Sequence, residues 1–283
     1  MRSALQTLFF FCAFLLSVLS SSSAHAEGKP LALIWSGKGA CNFCILGALR
    51  MADQAGFDYQ LVNSSVVEDS VFKRAKVWIQ PGGYAVTEAF AMGPSLMNQI
   101  KKFVRQGGGY VGFCAGSFLS TREIGTSGET GFGFIPGSTD YHHEEDYEAW
   151  QIEKVLTPKG PRFVYFAGGP QFVVQADELK AVGGRVTARA NNGHIEAIEA
   201  RYGKGKIAVS GFHPEANSFQ KATRLFITSG YPKAAMALFN AFGTGTFHPA
   251  ALWESSPYFQ IDPDGNDYVF AIEMIRFAAS IKD

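Results

Sequence analysis

The sequence predicts an α/β fold built on a mostly parallel sheet. Two observations predict it. Short apolar runs, of which LALIW at 31–35 and AKVWI at 75–79 are the clearest, alternate with segments whose apolar residues recur at helical spacing. The runs end in Gly- or Pro-rich turns, so strand and helix follow one another as in βαβ units. A composition of 47% apolar and 18% charged residues supports a folded globular chain with a sizeable core.

Taken in order, Leu31–Trp35 reads as a buried strand running into the turn Ser-Gly-Lys-Gly. Phe43–Gln54 reads as a helix with Phe43, Leu46, Leu49 and Met51 on its apolar face, stopped by Gly56. Tyr59–Val62 is the second strand and Ala75–Ile79 the third, ending in Pro81-Gly82-Gly83. A helix opening at Pro94 turns Leu96, Ile100, Phe103 and Val104 to one side and closes at Gly107. Tyr110–Phe113 is the fourth strand. The middle is richer in β structure, with short runs at Arg162–Phe166, Gln171–Gln175, Arg185–Ala190, His194–Arg201 and Lys206–Gly211. Helices return at Pro232–Phe242 and Asp267–Ile281.

Residues 1–26 stand apart. Arg2 precedes an apolar stretch from Leu8 to Leu19, then a Ser run and Ala24-His25-Ala26, the parts of a cleavable secretory signal. The stretch is shorter than the ~20 residues of a spanning helix. The expectation is a periplasmic or secreted protein, without a stable membrane anchor once the signal is cut. Residues 27–283 then form a single domain, with a helical extension from about residue 229. The 25 basic and 25 acidic residues cancel, which argues against a nucleic-acid partner. Cys12 leaves with the signal, so Cys41, Cys44 and Cys114 remain. In an oxidising compartment an odd count leaves a thiol unpaired within the monomer, or a bond between chains.

The chemistry gathers in three segments, each following a strand. Gly112-Phe113-Cys114-Ala115-Gly116 has the strand–turn–helix context of a nucleophile elbow, with Cys114 at the turn. Gly211-Phe212-His213-Pro214-Glu215 puts His213 and Glu215 two apart, on one side of an extended chain. There the carboxylate can orient the imidazole and stabilise its protonated form. Gln80-Pro81-Gly82-Gly83-Tyr84 offers backbone N–H groups that, with that of Ala115, can stabilise an oxyanion. Ligands of a parallel sheet sit beyond the carboxyl ends of its strands, so one site can collect all three segments.

PGGY at 81–84, GFCAG at 112–116 and GFHPE at 211–215, in that order, resemble the class I glutamine amidotransferase-like superfamily. GGGYVGFCAGSFLS at 107–120 and FAGGPQF at 166–172 narrow the resemblance to the biotin-protein ligase N-terminal-domain-like group, over about residues 30–228. The resemblance implies a flavodoxin-like three-layer sandwich, elaborated here by β hairpins and C-terminal helices. It implies Cys114 as nucleophile, His213 as general base and Glu215 as its partner, with Gly82, Gly83 and Ala115 near the oxyanion. Neither a synthetase domain nor a biotin-ligase catalytic domain follows in this sequence. The expected substrate is a small-molecule or peptide amide, and no cofactor is expected. A non-catalytic binding module or a partner-dependent subunit on the same scaffold is the alternative.

Three weaker motifs complete the reading. Cys41-Asn42-Phe43-Cys44 lacks a second Cys pair for zinc and reads as a local disulfide. A bond from Cys41 or Cys44 to Cys114 would instead switch the nucleophile off. Tyr141-His142-His143-Glu144-Glu145-Asp146 lacks strand or helix spacing and reads as a solvated loop, so no metal site is assigned. Asp262–Asp267 has its glycine in the wrong place for a calcium loop and reads as a turn into a helix N-cap. Behind it Val269, Ile272, Ile275, Phe277 and Ile281 form a packing stripe.

Overall fold

The structure, a computed structural model, describes residues 28–142, 150–216 and 267–281. Its first half is a run of alternating elements: β1 (Leu31–Trp35), α1 (Asn42–Gln54), β2 (Asp58–Val62), α2 (Asp69–Arg74), β3 (Ala75–Gln80), α3 (Ala85–Arg105) and β4 (Gly109–Phe113). A short helix, α4 (Ala115–Phe118), leads into the β-rich part. That part holds β5 (Ser138–Tyr141), β6 (Trp150–Thr157), β7 (Gly160–Ala167), β8 (Pro170–Val173), α5 (Ala176–Ala181), β9 (Arg185–Ala190), β10 (Ile195–Tyr202) and β11 (Gly205–Ser210). The helix α6 (Tyr268–Ala278) closes the described chain.

The strands form one 11-stranded sheet whose main path is β2-β1-β3-β4-β11-β10-β9-β6-β7, with β8 pairing β10 and β5. From β2 to β11 every pairing is parallel. From β11 outward the pairings are antiparallel. Parallel strands covered by helices on both faces must be largely apolar on both, and the inner strands β1, β3, β4 and β11 are, whereas the edge strand β2 is mostly exposed. Leu33, Trp35, Trp78, Tyr110, Ile207 and Val209 meet Leu96, Ile100 and Phe103 of α3 on one face. Ala32, Ile34, Val77, Ile79, Val111, Phe113 and Ala208 meet Met51 of α1 and Ile275 of α6 on the other. The alternation along each strand is the period of two that the pleat imposes. Each fully buried Leu, Ile or Met contributes roughly 1.5–3 kcal/mol. This is the expected three-layer sandwich, and the antiparallel strands are its hairpin elaboration.

Several sequence expectations need correction. The face of α1 is rotated: Leu46 is exposed, whereas Cys44, Ile45, Ala48, Met51 and Ala52 are buried. Small residues let this helix approach the sheet closely between Ile45 and Met51, and Leu46 is left outside. The helix placed from Pro94 begins at Ala85. Gly93 takes φ 66° and breaks the helix immediately before Pro94, so two helical segments run together across a kink. On α6 the buried side chains are Ala271, Met274, Ile275 and Ala278, and Val269 is exposed. The backbone of Ala278 lies over Gly109 of β4, where a Cβ would collide with it. Asp267 occupies the N-cap position of α6 without a side-chain capping bond. His142, expected in a solvated loop, is 4% exposed, and Tyr141 ends strand β5. The sequence reading missed α2, α5, β5 and β6. The helix expected at Pro232–Phe242 and residues 262–266 lie outside the described residues. No described helix is long and apolar enough to cross a membrane.

Candidate active site

The parallel strands deliver the three motifs to one end of the sheet. β3 and β4 are neighbours, as are β4 and β11, so the turns after Gln80, Phe113 and Ser210 lie side by side. Cys114 follows β4 with φ 49° and ψ −102°, the only described non-glycine residue besides Ser280 with positive φ. A bulky residue in such a conformation costs of order 1–3 kcal/mol and persists only where its surroundings hold it. Here they do. Cys114 N–H donates to Ser210 O at 2.9 Å, and the Ser117 hydroxyl donates to Ser210 O at 2.6 Å. The Tyr110 hydroxyl donates to Gly116 O at 2.7 Å. The flanking glycines are steric necessities. A Cβ on Gly112 would lie 2.5 Å from Gly116 O, and one on Gly116 would run into the carbonyl of Gln80. The turn has the strand–turn–helix geometry that the sequence predicts.

His213 and Glu215 are fully enclosed. Nδ1 of His213 donates to Glu215 Oε1 at 2.8 Å, with side-chain exposures of 3% and 1%. The charge of Cys114 acts on the same imidazole. Burial pushes the His213 pKa down, but the Cys114 and Glu215 charges and the Glu215 hydrogen bond outweigh it and hold it well above the ordinary value. His213 N–H donates to Tyr165 O at 2.8 Å, which ties the segment to β7. Cys114 Sγ donates to Ala167 O at 3.6 Å, also on β7. Glu215 leans on α1 at Gly47, where a Cβ would come within 2.7 Å of its Cγ. Cys114 is only 3% exposed, so the thiol is covered in this conformation.

The Gly82-Gly83 turn lies against His213 and Cys44. A Cβ on Gly82 would overlap the His213 ring and sit 3.1 Å from Cys44 Sγ. Gly82 O accepts from Cys41 N–H at 2.9 Å, and Tyr84 N–H donates to Gly39 O at 2.9 Å. Beneath the turn runs a buried polar chain that the sequence reading missed. Trp78 Nε1 donates to Gln80 Oε1 at 2.8 Å, and Gln80 Nε2 donates to Glu88 Oε2 at 2.7 Å. Burial raises the Glu88 carboxyl to about 8, with the Gln80 hydrogen bond opposing and the charge of Cys41 assisting. Its sequence signal was a Glu four residues before Met92 on a helix whose inward face is apolar.

The Cys41–Cys44 pair sits at the start of α1 as two free thiols. Cys41 caps the helix: its Sγ accepts from Cys44 N–H at 3.4 Å. The Cys44 side-chain hydrogen bond, with backbone donors and the charge of His213, lowers Cys41 to about 6 against the effect of burial. The same pairing, with burial, raises Cys44. Cys44 Sγ lies 4.0 Å from His213 Nδ1, so it belongs to the wall of the site. Ligand atoms of Cys44, His213 and Glu215 lie within 4.8 Å of one another. A metal there would replace the hydrogen bond between His213 Nδ1 and Glu215. The described groove of about 220 Å³, lined by Asp69, Lys73, Phe72 and Phe103 among others, is between α2 and α3 and contains none of these residues.

A sheet covered by helices on both faces, parallel in its first half, is a glutamine amidotransferase-like fold. The chain belongs to the family described as biotin-protein ligase, N terminal, whose model matches residues 31–236. It is 23% identical over 210 residues to the biotin–protein ligase of Schizosaccharomyces pombe. That match covers 65% of this chain and 33% of the ligase, so the chain spans about a third of that relative's length. It is 26% identical over 154 residues to the pyridoxal 5'-phosphate synthase subunit PdxT of Listeria innocua, covering 53% of this chain and 76% of that one. Among solved structures it is similar to a glutamine amidotransferase from Thermotoga maritima. There the TM-score is 0.53 and the identity 12%, with 88% of this chain and 97% of the other covered.

Proposed function

We propose that this chain is an exported hydrolase or acyl transferase that attacks an amide-type bond through Cys114, His213 and Glu215. The observation that carries the reading is a buried imidazole bonded to Glu215 at 2.8 Å, at the end of the sheet where Cys114 occupies the turn after β4. Cys114 gives its proton to His213 and its sulfur attacks the acyl carbon. Glu215 fixes the ring orientation and stabilises the imidazolium. The N–H groups of the Gly82-Gly83 turn and of Ala115 receive the oxyanion. As the tetrahedral species collapses, His213 protonates the departing amine and a thioester remains on Cys114. Water, losing a proton to His213, then releases the acid and restores the thiol; another acceptor would give transfer instead. Export rests on residues 1–26.

The test is labelling of the purified protein by electrophilic acyl probes, with peptide mapping. Label should map to Cys114 and vanish in Cys114→Ala. Equal labelling of that variant at another residue would remove the assignment. The 3% exposure of Cys114 supports a second reading, a subunit whose site opens only with a partner. In that case the isolated chain would stay unlabelled until the partner is added.

A further inference from the structure

Glu196 is 0% exposed and its Oε2 has no hydrogen-bond partner. Its Oε1 lies 2.6 Å from His142 Nδ1. On the far side of the same ring, His142 Nε2 lies 2.8 Å from Glu153 Oε2. His194 stands edge-on to His142, with ring centroids 5.5 Å apart, and is half-buried. One ligand atom from each of His142, His194 and Glu196 falls within 4.8 Å of the other two. These residues come from three separate places: the end of β5, the turn before β10, and β10 itself.

Glu196 Oε2 is buried with no partner, and a buried carboxylate oxygen without compensation is costly. Two imidazole nitrogens and one carboxylate facing a common point form a three-ligand set suited to a divalent transition ion. Such an ion places its ligand atoms about 3.3 Å apart, given bonds of about 2.0–2.1 Å, so the 2.6 Å contact between His142 and Glu196 must open by about 0.7 Å and contacts of up to 4.8 Å must close by up to about 1.5 Å. The outer carboxylate is present too. Glu153 on the distal nitrogen of His142 is the partner that orients a metal-bound imidazole.

We propose that His142, His194 and Glu196 bind one divalent transition-metal ion of the zinc class, with Glu153 orienting His142. Three protein ligands leave a coordination position for water or a small oxygen donor. The site is coupled to the elbow region through aromatic packing. His142 stacks on Phe166 at 4.4 Å, and Phe166 meets Phe212, the residue before His213, at 5.9 Å. Glu196 O also accepts from Gly211 N–H at 2.8 Å.

The test is calorimetric titration of tag-free, EDTA-stripped protein with Zn²⁺ and, separately, Mn²⁺. One Zn²⁺ per chain is expected. His194→Ala and Glu196→Gln should each weaken it at least ~100-fold, and Glu153→Gln by roughly 10–100-fold with the stoichiometry kept. Cys44→Ala should leave the Zn²⁺ affinity unchanged, which separates this site from the cluster around His213. Absence of binding of either ion overturns the proposal. So does undiminished binding in His194→Ala, or loss of binding in Cys44→Ala. Should Glu196→Gln fail to fold, His194→Ala decides, because that residue lies on a half-buried turn. Acyl-probe labelling of Cys114 is measured independently, so the two readings can fail separately.

Discussion

Glu88 makes a quantitative prediction. It is fully buried under the Gly82-Gly83 turn, and its carboxyl rises from 4.5 to about 8 chiefly because burial disfavours the charged form. The folded chain therefore holds this proton more tightly than the unfolded chain. Stability from this group is complete below about pH 4.5, declines as pH rises toward about 8, and is level beyond. The rise from 4.5 to about 8 corresponds to about 5 kcal/mol at about 1.36 kcal/mol per pH unit. Glu88→Gln keeps the shape and can still accept from Gln80, but has no proton to lose. Urea unfolding of both proteins from pH 4.5 to 8.5 isolates the effect, because other titrating groups cancel in the difference. The variant should gain up to about 5 kcal/mol on the wild type across that interval, with any loss from the amide appearing as a constant offset. Parallel stability curves would refute the reasoning.

Further outcomes follow from the same geometry. Alkylation of Cys41 by iodoacetamide should have a pH midpoint near 6, set mainly by the Cys44 hydrogen bond, while buried Cys44 stays unreactive at neutral pH; mass-spectrometric mapping across pH reads both. Gly116→Ala forces a Cβ into the Gln80 carbonyl, and the elbow should lose roughly 1–3 kcal/mol, seen as a lower midpoint in urea. Gly82→Ala pushes on the His213 ring instead, so acyl labelling of Cys114 should slow at least tenfold while far-UV circular dichroism is unchanged.

Much of the parallel half was legible because its signals are local. A strand buried on both faces must be almost wholly apolar, as in LALIW and, apart from the exposed Lys76, AKVWI, and its end must be marked by a turn residue. The elbow was legible for the same reason, since Gly112 and Gly116 report close approaches made within one turn or against the adjacent strand. The face of α1 was misread because helical periodicity assumes that the largest apolar side chains point inward. Here the sheet is approached through Ala48 and Ala52, and Leu46 is left outside. The first half of α3 was hidden by Gly93-Pro94, which normally marks a boundary and here marks a kink.

The sequence by itself determined the α/β class, the order of the three motifs and the residue types that can serve as nucleophile, base and orienter. These depend on neighbours a few positions apart. Tertiary structure alone decided which polar groups lie buried together. Glu88 meets Gln80 only because α3 folds back beneath the β3 turn. Cys44 reaches His213 across 169 positions of chain because α1 covers that end of the sheet. His142 changes from an expected solvated residue to a buried one because Glu153 and Glu196 arrive from other strands. The energy of a charge depends on the dielectric around it and on what lies within a few ångströms, and both are set by folding.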